Sequence, residues 1–364
     1  MARLWKRWKR GAYVGLVGLL LAALVGCGGG QGAAPGGAQT PPAAQQPATA
    51  AAPKVLTLAT HPVGSLVNSL GTGIATVLGK YLGSEVKVMP TSGPIEWLPM
   101  IATGEVNLGV LNNWDAQMGR LGKQDFQAAT GGKGAPIYLL TSGTRSMVGT
   151  MVADNSGIRS GQDLKGKRVV VTVTGSGGIT AQNKAALANF GLTPEDVKAI
   201  SVPSIEAGLR AVIEGRADAT TISLGTAVIT ELDAEKGARY LSFDPSPEAV
   251  QRMQQYYPCY LERVEPAQGR VGVKEPVYLM CYEFYLVGSE SLSEDQAYQI
   301  VKALWEHSPE LGEIHARLKD WAPERFVNPR ATIPYHPGAV KFYKEVGAWT
   351  PEMDALQNQL LAAK

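Results

Sequence analysis

The feature that most constrains the fold is a strand–helix–strand–helix–strand unit that occurs twice. In the first copy, Val55-Leu-Thr-Leu-Ala59 reads as a buried strand, Leu66 to Leu82 as a helix and Glu85 to Met89 as a second strand. A short helix from Ile95 to Thr103 follows, capped by Gly104, and Glu105 to Val110 reads as a third strand. The order recurs from Arg168: strand Val169–Val173, turn Gly175–Gly178, helix Ile179–Phe190, strand Val197–Val202, helix Ile205–Glu214, cap Gly215 and strand Arg216–Thr221. First strand to capping glycine spans 49 residues in one copy (Val55 to Gly104) and 46 in the other (Val169 to Gly215). Alternating strands and helices favour parallel βαβ sheets. Two such units predict an α/β fold of two similar lobes facing across a cleft.

The N-terminal segment says where such a chain works. Arg3, Lys6, Arg7, Lys9 and Arg10 precede an apolar run from Ala12 to Val25, which closes on Leu24-Val25-Gly26-Cys27. A basic start, a short apolar run and small residues before a cut are the marks of an export signal. The run is shorter than the ~20 residues that span a bilayer. Cys27 sits where a lipobox places its acylated cysteine, so residues 1–26 are expected to be a lipoprotein signal peptide. Gly28 to Pro53 holds only Gly, Gln, Ala, Pro and Thr. That composition cannot bury enough surface to offset chain entropy, and residues 27–53 read as a lipidated, flexible linker. The full chain has 34 Lys and Arg against 32 Asp and Glu; losing the five leading bases leaves a net charge of −3. With no basic cluster in the body, nucleic acid is not an expected partner.

In open α/β sheets, ligands lie at the carboxyl ends of strands, against helix N-termini. That rule selects Thr60, His61, Ser65 and Asn68, then Ser92, and then Asn112, Asn113 and Trp114 in the first unit. In the second unit it selects Thr174, Ser176, Gly178, Ile179 and Thr180, followed by Ser223 and Thr226. These loops carry hydroxyls, amides and free backbone N–H groups, which can hold an anion without a buried cation. Ordinary helix capping accounts for any single Ser or Thr among them equally well.

The segment Ile137 to Ala153 is expected to cross from one lobe to the other, and Tyr256–Val264 and Val277–Val287 to cross back and pair. This divides the body into lobe 1 (residues 54–143 plus 266–364, with C-terminal helices from Ser293) and lobe 2 (residues 144–265). Arg145 lies close to the inferred hinge and is the candidate for a charged ligand contact, with a structurally paired Arg as the alternative. Cys259 and Cys281 lie on the two returning segments and read either as a disulfide or as two buried thiols.

Enzyme chemistry finds no foothold. Gly175-Ser-Gly-Gly-Ile-Thr180 follows a dinucleotide loop for three positions and then has Thr where the third Gly belongs; it also lacks a P-loop ending. There is no Gly-x-Ser-x-Gly elbow. The four histidines, at 61, 307, 315 and 336, are not spaced as a metal site. No catalytic residue, metal or cofactor is expected.

Three further segments carry a family resemblance: Asp154-Asn-Ser-Gly-Ile-Arg-Ser-Gly-Gln-Asp-Leu-Lys-Gly-Lys-Arg-Val169, Glu214-Gly-Arg-Ala-Asp218 and Pro334-Tyr-His-Pro-Gly-Ala-Val-Lys-Phe-Tyr-Lys344. With the export signal and the two-lobed body, they resemble the TAXI group of solute-binding proteins, which serve TRAP transporters. The Pro-x-His-Pro-Gly-Ala ending is the most specific part, and it implies a structural role for His336. The resemblance covers most of Lys54 to Trp349. It implies a periplasmic-binding-protein fold, a small carboxylate ligand such as a dicarboxylate or an acidic amino acid, and delivery to a permease driven by an ion gradient. There is one departure. Where the group carries a Thr and paired Tyr after the first strand, this chain has Leu66, Val67 and Asn68; His61 and Asn68 stand in for those groups, and the carboxylate's identity stays open. An ABC-type receptor of similar shape is the alternative, followed by a periplasmic sensor or enzyme.

Overall fold

The computed structural model describes residues 55–363 apart from Gly175. The expected signal peptide, the linker and Cys27 lie outside the described residues.

The first half runs β1 (Val55–Thr60), α1 (Leu66–Tyr81), β2 (Glu85–Pro90), α2 (Pro94–Thr103), β3 (Leu108–Asn112), α3 (Asn113–Leu121) and the single turn α4 (Phe126–Ala129). The 17-residue β4 (Ile137–Ala153) then leads into the second half: β5 (Arg168–Val173), α5 (Gly177–Asn189), β6 (Lys198–Val202), α6 (Ile205–Ile213) and β7 (Ala219–Ser223). After it come α7 (Ile229–Lys236), β8 (Ala238–Tyr240), α8 (Pro247–Gln254) and β9 (Tyr260–Val264), and the chain returns along β10 (Val277–Ser289). The C-terminal helices are α9 (Glu294–Ile314), α10 (Pro323–Phe326), α11 (Pro337–Glu345) and α12 (Pro351–Ala362), with a 3-10 turn at Ala316–Asp320.

The ten strands of the described residues share one sheet, in the order β2-β1-β3-β10-β4-β7-β5-β6, with β8 on β4 and β9 on β10. β1 pairs in parallel with β2 and β3, and β5 with β6 and β7. Among the described residues the two parallel sets are joined through β4 and β10, which pair antiparallel with each other, β10 also with β3 and β4 with β7. This is the two-lobed architecture expected from the repeat, with two long strands as the connection between the halves. The expected pairing of the returning segments is also present, β9 against β10.

The two units correspond in detail. Each short helix ends at a glycine of positive φ, Gly104 (82°) and Gly215 (72°), a conformation that costs other residues a Cβ clash. Three residues on, Asn107 and Asp218 do equivalent jobs. The Asn107 side chain accepts from Thr57 N at 2.9 Å while its own N–H donates to Thr57 O at 3.0 Å. Asp218 accepts from Arg168 N at 2.8 Å and donates its N–H to Arg168 O at 2.7 Å. These side-chain clasps hold the start of each third strand, so β3 and β7 begin later than expected and run to Asn112 and Ser223.

Packing ties the halves together. One apolar cluster runs from Leu58, Leu70, Trp97 and Leu108 through Trp114, Tyr257 and Tyr282 to Val171, Leu187 and Phe190. A second lies within the second half, around Val170, Leu209, Val212, Ile222 and Leu279. α9 and α11 pack on the first half, and α9 kinks at His307, two residues before Pro309, whose ring cannot continue the helical hydrogen bonding.

Candidate ligand-binding site

Three of the selected polar residues are N-caps. Ser65 accepts from Asn68 N (3.1 Å) to open α1, Asn112 from Asp115 N (2.8 Å) to open α3, and Ser176 from Ile179 N (3.3 Å) to open α5. Capping leaves the remaining first-turn N–H groups of each helix available. Thr60, fully buried, joins the first of these termini: its Oγ1 accepts from Asn68 Nδ2 at 3.0 Å. His61 Nε2 is buried without a hydrogen-bond partner, and burial lowers the ring's pKa below 6.5.

The termini of α3 and α5 meet across the seam between the halves. A Cβ on Gly178 would lie 3.5 Å from the Trp114 ring and 3.6 Å from an Asp115 carboxylate oxygen. Gly177 approaches closer still: a Cβ there would overlap Asp125 Oδ2 at 1.8 Å. Trp114 stacks on Tyr257 (centroids 6.5 Å apart, planes within 2°), and Tyr257 meets Tyr282 edge-on at 5.4 Å. A polar chain runs along these rings. Asn112 Nδ2 donates to Asp115 Oδ2 at 2.7 Å, and the Tyr257 hydroxyl lies 3.5 Å from Asn112 Oδ1. Strand pairing sets Ser146 opposite Tyr282, Ser146 Oγ lies 3.5 Å from Ser223 Oγ, and buried Gln182 of α5 lies near Tyr257 and Tyr282. These polar groups come from β3, α5, β10, β4 and β7.

The Asp115 carboxyl is pushed up to about 7. Desolvation is the main cause; the Asn112 amide opposes it, and the neighbouring Asp125 carboxylate adds to it. Near neutrality this group is therefore shared between an acid that donates a hydrogen bond and a carboxylate that accepts one.

Of the residues selected from sequence, the structure brings Asn112, Trp114, Ser176, Gly178 and Ser223 together, with Thr60, His61, Ser65 and Asn68 at the mouth of α1. Others have local work. Ser92 bonds Glu96 through both N (2.8 Å) and Oγ (2.6 Å). Asn113 Nδ2 donates to Pro258 O at 2.6 Å. Thr174 Oγ1 points to Val202 O, and Thr180 Oγ1 is tied to both N and O of Val173. Ile179 packs on the second apolar cluster, and Thr226 donates to Ser223 O at 2.7 Å. Asp115, Ser146, Gln182, Tyr257 and Tyr282 were not singled out from sequence.

Two expectations are corrected. Arg145 is the paired Arg: its Nη1 lies 2.5 Å from Glu262. Its register partner is Glu283, whereas Ser146 faces Tyr282; successive strand residues alternate faces, so Arg145 lies on the side away from Tyr282. Buried Glu283 lines a cavity of about 280 Å³ together with Trp114, Tyr257, Tyr260 and Arg330. The second correction concerns Cys259 and Cys281, which are free, buried thiols. Strand pairing sets Tyr260, not Cys259, opposite Cys281, and burial pushes the Cys259 thiol up to about 12.

His336 is buried and caps α11, accepting from Gly338 N at 3.2 Å, with its other ring nitrogen 3.2 Å from Leu292 O. That fits the expected structural role. Among the described residues no group of three or more His, Cys, Asp or Glu could hold a metal ion, and no helix is long and apolar enough to cross a membrane.

A strand order built on two through-running strands, with helix N-termini converging from both halves, defines a two-lobed α/β solute-binding fold. Residues 58–347 match the NMT1-like family, and the chain belongs to it: the family is the TAXI group of extracytoplasmic solute-binding proteins, which are not enzymes and which serve transporters. Solved structures similar to this chain include the periplasmic aliphatic sulphonate binding protein SsuA from Escherichia coli, at 16% identity over 85% of this chain and 80% of that one, TM-score 0.48. PhnD1 from Prochlorococcus marinus, in complex with methylphosphonate, is 12% identical over 82% and 100% of the two chains, TM-score 0.46. XAC2383 from Xanthomonas citri, bound to ATP, is 11% identical over 84% and 98%, TM-score 0.47.

Proposed function

We propose that this protein is a lipid-anchored receptor that closes lobe 1 (residues 54–143 and 266–364) and lobe 2 (residues 144–265) over a small organic anion. The ligand is a carboxylate, in the class of dicarboxylates and acidic amino acids, and is handed to a TRAP-type permease. The observation that carries this reading is the convergence of capped helix N-termini from both halves on one seam. Their first-turn N–H groups and partial positive charge favour an anion. A ligand that touches both lobes only when they are together shifts the open–closed equilibrium toward closure.

Ser176→Ala removes the oxygen that fixes the start of α5. It should weaken carboxylate binding at least tenfold, about 1.4 kcal/mol, while the empty protein loses only the ~1 kcal/mol typical of a cap. Calorimetry on both proteins measures it; equal affinities would place the site elsewhere. The anchor rests on Cys27 as acyl acceptor, after removal of residues 1–26, with residues 27–53 as tether. Cys27→Ala should release the protein from the membrane fraction or leave its signal uncleaved, with the affinity of the body unchanged. A cleaved Cys27→Ala protein that still partitions with lipid would rule the anchor out.

A further inference from the structure

Three cations near the β4–β10 crossing are paired. Arg145 pairs with Glu262, Arg330 lies 3.7 Å from Glu283 with its guanidinium 3.8 Å from the Tyr260 ring centroid, and Arg239 binds Asp154 and Glu275. Arg317 has no carboxylate within ion-pair distance among the described residues, although it is only half-exposed. Its position is fixed with care. Arg317 N donates to His315 Nδ1 at 3.2 Å, Arg317 O accepts from buried Thr144 Oγ1 at 2.7 Å, and Nη2 donates to Arg145 O at 2.7 Å. The next residue, Leu318, is fully buried against Gly73 of α1. One of five guanidinium donors is used, and the rest of the fork has no acceptor among the described residues. Thr144, which holds Arg317, lies two residues before Ser146 on β4, and so on the face that carries Ser146 opposite Tyr282.

We propose that Arg317, held by Thr144 and Arg145 on the β4 face that carries Ser146, is the cation that meets the ligand's carboxylate. A planar fork suits bidentate carboxylate contact, and an unpaired, partly desolvated guanidinium is stabilised when an anion arrives. A permanent internal partner would compete with the ligand. The inference rests on the anion-receptor reading above and assigns the charge contact within it.

The test is calorimetry with glutarate, succinate and glutamate, and with the matching amides, on wild type, Arg317→Gln, Arg317→Lys and Lys319→Gln. Arg317→Gln should weaken binding of the acids at least tenfold and leave the amides within twofold, which a merely structural lesion would not do. Arg317→Lys should restore part of the loss, and Lys319→Gln, which removes an exposed cation on the same turn, should change nothing. Acids that bind the wild type and Arg317→Gln equally would overturn the assignment while the receptor reading stands. Equal losses for acids and amides would also overturn it. A wild type that binds none of the acids would overturn the receptor reading itself.

Discussion

Carboxylate affinity should strengthen as the pH falls from about 7 toward 5, by up to tenfold per unit, and Asp115→Asn should remove that dependence. With the seam formed, desolvation raises the Asp115 carboxyl to about 7; a hydrated Asp in the open state titrates near ~3.9. The closed state therefore binds the proton more tightly. Above about pH 7 the carboxyl is ionised in both states and closure has no slope. Below it, closure takes up a proton that the open state does not hold until about pH 4, so closure gains about 1.4 kcal/mol per unit as pH falls. The groups facing Asp115 are the Asn112 amide, Asp125, Tyr257 and Tyr282. Burial raises both tyrosines, which keeps them out of this window. Burial also holds the His61 and His336 rings below 6.5, and the Asn variant separates Asp115 from them. Calorimetric titration at pH 5, 6, 7 and 8 decides it: a flat wild-type profile, or an Asp115→Asn protein that keeps the slope, would sink the account of the seam.

Trp321→Ala should cost about 3–5 kcal/mol of stability, the range for losing a buried aromatic. Trp321 is fully buried, and its indole covers Gly143 so closely that a Cβ there would lie 2.1 Å from the ring. Its Nε1 donates to Thr141 Oγ1 at 2.9 Å, so truncation also strands a buried hydroxyl. Because Trp321 seats the turn that carries Arg317, variant protein that still folds should also bind the ligand more weakly. Urea unfolding at constant m-value gives the number. A loss under 1 kcal/mol would mean the turn is held by other contacts.

The repeat was legible because strand alternation and helix-capping glycines are local signals. β1, α1, β2, α2, β5, α5 and β6 fall within two residues of where the sequence puts them. β3 and β7 start later because Asn107 and Asp218 clasp backbone of a strand 50 residues away, a long-range bond that no local pattern announces. The site was half-legible for the same reason. Loops at strand ends gave Asn112, Trp114, Ser176, Gly178 and Ser223, whereas Gln182 lies inside a helix and Tyr282 inside a continuously buried strand, where each reads as ordinary packing. Arg145 misled because adjacent positions on β4 face opposite sides, and one residue separates the ion-paired face from the seam. The cysteines misled by one residue of register.

The most direct test of the central claim is mass spectrometry of the small molecule released on denaturing protein purified without added substrate. The account predicts one species, near one per chain, that carries a free carboxylate and rebinds the emptied protein. A released ligand that rebinds and has no acidic group would contradict it.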